Sequence, residues 1–188
     1  MHQNIIRFPF SRTLKNYIRG RSFSQSLKTE GWIFSSYRAN IILNELSNWQ
    51  AFYLPIDIRN KTVLDVGAGE GETAKFFLEH GAKKVVCLES DVESYKNLYQ
   101  NSKRFRGIEP LNASFSLKHL YLDFDFLKMD IEGYEEVLLT TELTKPAVIE
   151  VHGLQLRDQF KNAMYRITYG DNGCEKGFGC FSYAYWRC

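Results

Sequence analysis

Residues 63–73, V-L-D-V-G-A-G-E-G-E-T, restrict the fold of this chain more than any other stretch. Val63, Leu64 and Val66 form a short apolar run suited to a strand buried on both faces. Gly67, Gly69 and Gly71 follow where that strand must turn into a helix. Glycine there lets the backbone come close to a ligand. The spacing selects among ligands: a dinucleotide fingerprint reads G-x-G-x-x-G, whereas this loop reads G-x-G-x-G. The next apolar run, residues 84–88, ends in Glu89, 24 positions beyond Asp65. A carboxylate at the end of the second strand, roughly 20 residues past the glycines, holds both ribose hydroxyls in nucleoside-binding α/β folds. Loop and acid together predict a nucleoside pocket and argue against a nicotinamide dehydrogenase.

From residue 61 onward the pattern alternates strand and helix, which predicts an α/β fold with right-handed crossovers. Residues 72–80 form the first helix, with Ala74, Phe77 and Leu78 toward the sheet and Gly81 at its end. Asp91 caps a second helix reaching to about residue 102. The third strand, within residues 107–115, is interrupted by Pro110 and so belongs at an edge, with Asn112 and Ala113 closing an adenine pocket. Phe124, Phe126, Leu127 and Met129 lead to Asp130, and a helix carrying Val137, Leu138 and Leu139 is expected after it. Strand five, residues 147–151, runs into His152. A helix from Leu154 precedes two last strands at about 164–169 and 180–187, joined by the turn residues Asp171, Asn172 and Gly173.

A length of 188 residues fits one domain with a real core, divided here into a preface, 1–58, and a sheet domain, 59–188. In the preface, Ser11 would cap a short helix. A second, over residues 37–53, carries Ile42, Leu46 and Trp49 at helical spacing and is expected beside or over the pocket, with Trp49 on the substrate side. No apolar run approaches the roughly 18 residues of a membrane span, and the first residues lack a signal peptide's apolar core, so a cytoplasmic location is expected. The four cysteines, Cys87, Cys174, Cys180 and Cys188, contain no C-x-x-C pair and lie far from the histidines, so no metal is expected. The formal charge is +2, yet residues 1–38 hold seven Lys or Arg against one acid, Glu30. With interspersed aromatics such as Phe8, Phe10 and Trp32, this is compatible with RNA or another anion, although a solvated basic face is the preferred reading.

Residues 128–135, K-M-D-I-E-G-Y-E, resemble the K-x-D-x-E-G-x-E block of the FkbM-type methyltransferases. Further matches fall in that family's order: the glycine loop is similar to its S-adenosylmethionine (SAM) loop, and Leu88, Glu89 and Ser90 to its acidic strand end. Tyr95, Leu98 and Asn101 fit its Y-x-x-L-x-x-N helix. The resemblance covers roughly residues 61–153, and Ser90 departs from the proline of many members. It implies a Rossmann-like class I methyltransferase fold: a seven-stranded, mostly parallel sheet with a reversed last strand. It also implies SAM as cofactor, with Gly67, Gly69, Gly71, Glu89, Ser90, Asn112 and Ala113 as the residues expected to hold it, Asp65 orienting its amino group directly or through water, and Asp130 near its methionine end or the acceptor. The family's known chemistry includes O-methylation of sugar or polyketide hydroxyls.

Methyl transfer from a sulfonium is an in-line displacement that depends on holding the acceptor in line and excluding water. A hydroxyl must also lose its proton. His152, at the carboxyl edge of the sheet, is the expected base, with an unperturbed pKa of about 6.5, and Asp130 the expected positioning acid. Glu132 would bind substrate or cap the following helix, and a buried Glu150 would need a cation nearby. Three functions remain open at this level: a small-molecule O-methyltransferase, an RNA ribose methyltransferase using the basic preface, or a non-catalytic SAM-binding module. Base N-methylation is disfavoured, because the chain has D-I-E-G where those enzymes carry N/D-P-P-Y/F.

Overall fold

Among the described residues, six strands run one way and one runs back. β1 (Thr62–Val66) pairs in parallel with β2 (Lys84–Glu89) on one side and β4 (Phe126–Met129) on the other. β3 (Ile108–Asn112) lies outside β2, and β5 (Ala147–His152) outside β4. β7 (Phe181–Trp186) pairs antiparallel with both β5 and β6 (Arg166–Tyr169), giving the order β3-β2-β1-β4-β5-β7-β6. These strands belong to a computed structural model that describes residues 31–35, 38, 49, 51–169 and 181–188. The expected helix after Ser11, most of that over residues 37–53, the turn at Asp171, Asn172 and Gly173, and Cys174 and Cys180 lie outside the described residues. Among those described, no helix is long and apolar enough to cross a membrane.

The chain moves outward from β1 to β2 and β3, then returns to β4 on the other flank of β1. The strand order therefore reverses between β1 and β4, and in open α/β sheets ligands bind in the crevice beyond the carboxyl ends of the strands at such a point. Pro110 sits in β3 at the sheet edge, as expected, where a missing N–H costs least. Helix α1 (Glu72–Glu79) starts from Gly71 at φ 98° and ends before Gly81 at φ 94°. Helix α2 (Val92–Arg104) is capped by Asp91, which accepts from Ser94 N at 2.8 Å. Helix α3 (Leu154–Asn162) follows β5. The α-helix expected around Leu138 is instead a 3-10 helix over Glu135–Thr140. Its first residue is tied back to the sheet edge, and a short crossover suits this tighter turn.

Both faces of the sheet are buried, and period-two alternation sorts the residues between them. Leu64, Val86, Leu127, Ile149 and Val151 pack with Phe160 on one face. Val63, Val85, Phe126 and Val148 pack with Trp49, Tyr53 and Phe77 on the other. Toward the carboxyl edge this second face changes character. Val63 gives way to Asp65 and Gly67, Phe126 to Lys128 and Asp130, and Val148 to Glu150 and His152. An apolar floor thus rises into a charged rim.

Candidate functional site

The glycine loop closes the crevice on the β1 side. Gly67 N and Ala68 N both donate to Leu88 O, at 3.0 and 3.1 Å, fastening the loop to the end of β2. Gly67 sits at φ 76°, and a Cβ there would collide with the carbonyl oxygen of Asp130. Only glycine therefore lets the ends of β1 and β4 meet. Glu89, almost fully buried, accepts Gly69 N on one oxygen at 2.8 Å and Asp91 N on the other at 2.7 Å. A carboxylate offers about four acceptor positions, so two remain for ribose hydroxyls. Asn112 Nδ2 and Ala113 N both donate to the backbone oxygen of Glu89, at 2.9 and 3.1 Å, which brings the expected adenine-side residues to that acid. Ser90 is exposed on the rim beside it.

A second set of contacts explains the Y-x-x-L-x-x-N pattern. Asn101 exchanges hydrogen bonds with the backbone of Ile33 and donates to Glu70 O. Asn97 donates to Glu70 Oε1, and Ser35 N to Glu70 Oε2. Residues 31–35 of the preface are thereby stitched to the glycine loop. Arg38 adds a charge over it, 3.5 Å from Glu72, its guanidinium against Gly69. Burial would lower the Arg38 pKa, but Glu72, Glu89, Glu70 and Asp130 together raise it, so it stays charged.

Two expected roles are corrected. Asp65 is fully buried, accepting from Thr73 Oγ1 and facing Lys128 Nζ at 3.1 Å, so direct contact with a cofactor amino group is closed to it. Lys128 also donates to Gly67 O at 3.1 Å, which makes the ion pair a strut beneath the loop. Burial opposes the Lys128 charge, and Asp65, with Asp130 behind it, outweighs burial and keeps the ammonium protonated. Trp49 is 2% exposed, edge-on to Phe76 at 5.9 Å. It is a core residue under α1 with no surface to offer a substrate.

The opposite wall is the Asp130–His152 edge, and the structure brings these two together as expected. His152 Nε2 lies 3.8 Å from Asp130 Oδ1 and 3.5 Å from Glu132 Oε2, the latter on an exposed side chain. On its other side Nδ1 is 2.9 Å from Oε1 of Glu135, which is fully buried. That same oxygen accepts Gly133 N at 3.1 Å and Ile131 N at 3.3 Å, holding a turn in which Glu132 and Gly133 stand at φ 56° and 104°. Burial alone would lower the His152 pKa. The bond to Glu135 and the charges of Asp130 and Glu132 override it and push the value up to about 9, well above the expected 6.5. Asp130, Glu150 and His152 bring one donor atom each within 4.8 Å of one another. Within this cluster Glu150 also accepts Tyr53 OH at 2.7 Å, and Glu135 engages the ring at Nδ1.

Glu135, Lys128, Tyr53 and Arg38 also belong to the site, beyond the residues that motif spacing marks. Lys128 was discoverable, since alternation in β4 sets it on the face of Asp65. Glu135 is the last residue of the K-M-D-I-E-G-Y-E block. Tyr53 and Arg38 act from the preface, where spacing alone does not disclose their partners.

No protein-family profile matches the chain. Over 103 residues it is 31% identical to uncharacterized protein 158B of Sulfolobus islandicus rod-shaped virus 1, covering 52% of this chain and 65% of that protein. Over 68 residues it is 35% identical to Hemolysin A of Brachyspira hyodysenteriae, covering 36% of this chain and 28% of that protein. The chain thus spans less than two thirds of either relative. Among solved structures it is similar to a candidate RNA methyltransferase of Pyrococcus horikoshii, with TM-score 0.56, 19% identity, and 89% and 96% of the two chains covered. It is similar to Aeropyrum pernix fibrillarin with natively bound SAM, at TM-score 0.55 and 14% identity over 75% and 73% of the chains. A precorrin-6y C5,15-methyltransferase of Geobacter metallireducens gives 0.52 and 15% over 72% and 84%. At these identities the likeness is one of fold, and the fold is that of the Rossmann-like class I methyltransferases.

Proposed function

We propose that this chain is a SAM-dependent methyltransferase allied to the FkbM type, acting on a hydroxyl of a small molecule or sugar. One observation supports this above the others. The Asp130 backbone packs against Gly67, so the proton-handling edge of Asp130 and His152 borders the crevice lined by the glycine loop and Glu89. Glu89 takes the ribose hydroxyls, Asn112 and Ala113 flank the adenine, and the loop backbone meets the methionine part. The acid-rich wall suits a cationic sulfonium. Asp130 positions the acceptor, with Glu132 at the outer rim.

In the reaction the acceptor O–H gives its proton to neutral His152 Nε2. Its oxygen bonds to the methyl carbon as the S–C bond breaks, the electron pair stays on sulfur, and S-adenosylhomocysteine (SAH) leaves. The imidazolium so formed sits among Glu135, Asp130 and Glu132. The contacts of residues 31–35 and Arg38 with the glycine loop support the reading of residues 1–38 as a cover over the acceptor side more than a nucleic-acid arm. The test is calorimetry with SAH, then incubation of the protein with methyl-labelled SAM and cell extract, with the product identified by mass. Absence of SAH binding would sink the proposal. Steeply salt-dependent binding of RNA fragments would move the acceptor class to ribose.

A further inference from the structure

We propose that Glu135 is the positioning residue for His152. Its buried carboxylate grips the ring by Nδ1, turning Nε2 to the acceptor and making the 130–135 turn and the base one unit. The inference rests on the methyltransferase reading of this site and adds to it a residue that never touches substrate.

The geometry is specific. Glu135 begins the 3-10 helix after β4, and His152 ends β5, so the contact joins two neighbouring elements at the crevice edge. Glu135 is fully buried, and its Oε1 receives three donors: the ring at 2.9 Å, Gly133 N at 3.1 Å and Ile131 N at 3.3 Å. The two backbone donors fix the carboxylate, and the fixed carboxylate fixes the ring. With Nδ1–H pinned, the neutral ring must expose its lone pair on Nε2, which faces Asp130 and Glu132. Once Nε2 takes the acceptor's proton, the carboxylate stabilises the cation. A carboxylate orienting a general base in this way is a recurrent solution in acyl transfer. The ring's electrostatic surroundings among the described residues are Asp130 and Glu132 on the turn, Glu135 on the 3-10 helix, Glu150 on its own strand, Lys128 on β4, and Tyr53 bonded to Glu150. Glu135 makes a 2.9 Å hydrogen bond with the ring, against separations of 3.5 Å for Glu132 and 3.8 Å for Asp130.

The competing reading is that Glu135 merely caps the turn, and Glu135→Gln separates the two. Glutamine keeps an acceptor oxygen for Ile131 and Gly133, so the turn stands, but the charge behind the ring is gone. The experiment is a ring ¹⁵N and ¹³C NMR titration of the full chain, whose four histidines are resolved by comparison with His152→Gln. In the parent the neutral His152 ring should carry its proton on Nδ1. In Glu135→Gln its titration midpoint should fall by about one pH unit or more. Once an acceptor is known, the rising limb of methyl transfer should move down with the midpoint, and its plateau should drop about tenfold or more. A neutral parent ring protonated on Nε2 overturns the proposal without any variant. So does an unmoved midpoint in Glu135→Gln. SAH affinity, measured separately, should be equal in parent and variant. If the parent binds no SAH, the cofactor reading falls, whereas an unmoved midpoint with SAH binding intact removes only the role of Glu135.

Discussion

Replacing Lys128 by Met tests whether the floor of the site is an ion pair that the fold depends on. The substitution keeps the apolar stem and deletes the ammonium, which lies 5.5 Å from the Tyr53 ring centre. Lys128 is 1% exposed and Asp65 0%, with 3.1 Å between their charged atoms. At an effective dielectric of about 20 that separation corresponds to roughly 5 kcal/mol of attraction, most of it offset by desolvation in the intact pair. Removing one partner strands the other, and a buried unpaired carboxylate costs about 3–5 kcal/mol, a large part of the roughly 5–15 kcal/mol that holds a domain folded. Urea unfolding followed by tryptophan fluorescence should show that loss with an unchanged slope. The stranded acid would have a raised pKa in the folded state, so its penalty is small at low pH and grows as pH rises through its unfolded value of about 3.9 and beyond. Adding Asp65→Asn should therefore recover about 2 kcal/mol or more. A loss under about 1 kcal/mol, or strict additivity of the two changes, would refute the assignment of Lys128 as the strut.

Glu89→Ala should weaken SAH binding by about 2–3 kcal/mol, through lost ribose contacts and the freed Gly69 and Asp91 N–H groups, and calorimetry reads it directly. Gly67→Ala forces a side chain into the Asp130 carbonyl at a left-handed φ. It should lower the unfolding midpoint in urea by the equivalent of about 2 kcal/mol or more; a neutral outcome would show that the two strand ends are not in contact. His152, raised from its ordinary 6.5 to about 9 in the folded state, contributes stability that is complete below pH 6.5 and is lost as pH rises through 9. Thermal unfolding of the ligand-free protein between pH 6 and 10 should fall accordingly, and His152→Gln should flatten that fall.

The strands were legible because alternation and apolar runs report burial directly. Gly67, Glu89 and Asp91 were legible because each serves a local backbone need that spacing reveals. Asp130 and His152 could be paired from sequence, since consecutive parallel strands were expected to be neighbours. The state of the ring was not legible. Its pKa depends on Glu135, 17 positions away, whose carboxylate faces inward only because two amides of its own turn hold it. Trp49 was misplaced because helical spacing marks an apolar face without saying whether that face meets a core or a cavity. Asp65 was misread because strand-end position says nothing of what lies beneath a loop.

The alternation of the β1, β4 and β5 side chains also proof-reads assembly of the sheet. A one-residue slip of β4 would exchange Lys128 for Leu127 or Met129, turning the ammonium into the apolar layer of Leu64 and Ile149 and leaving Asp65 facing a methyl group. Both errors are costly, so the pairing that matches the charges is strongly favoured over its neighbours. That pairing also brings Asp130 against Gly67 and beside His152. A chain that reaches its stable register has thereby aligned its reactive edge, and incorrectly paired copies are left unstable instead of persisting as folded, inactive protein.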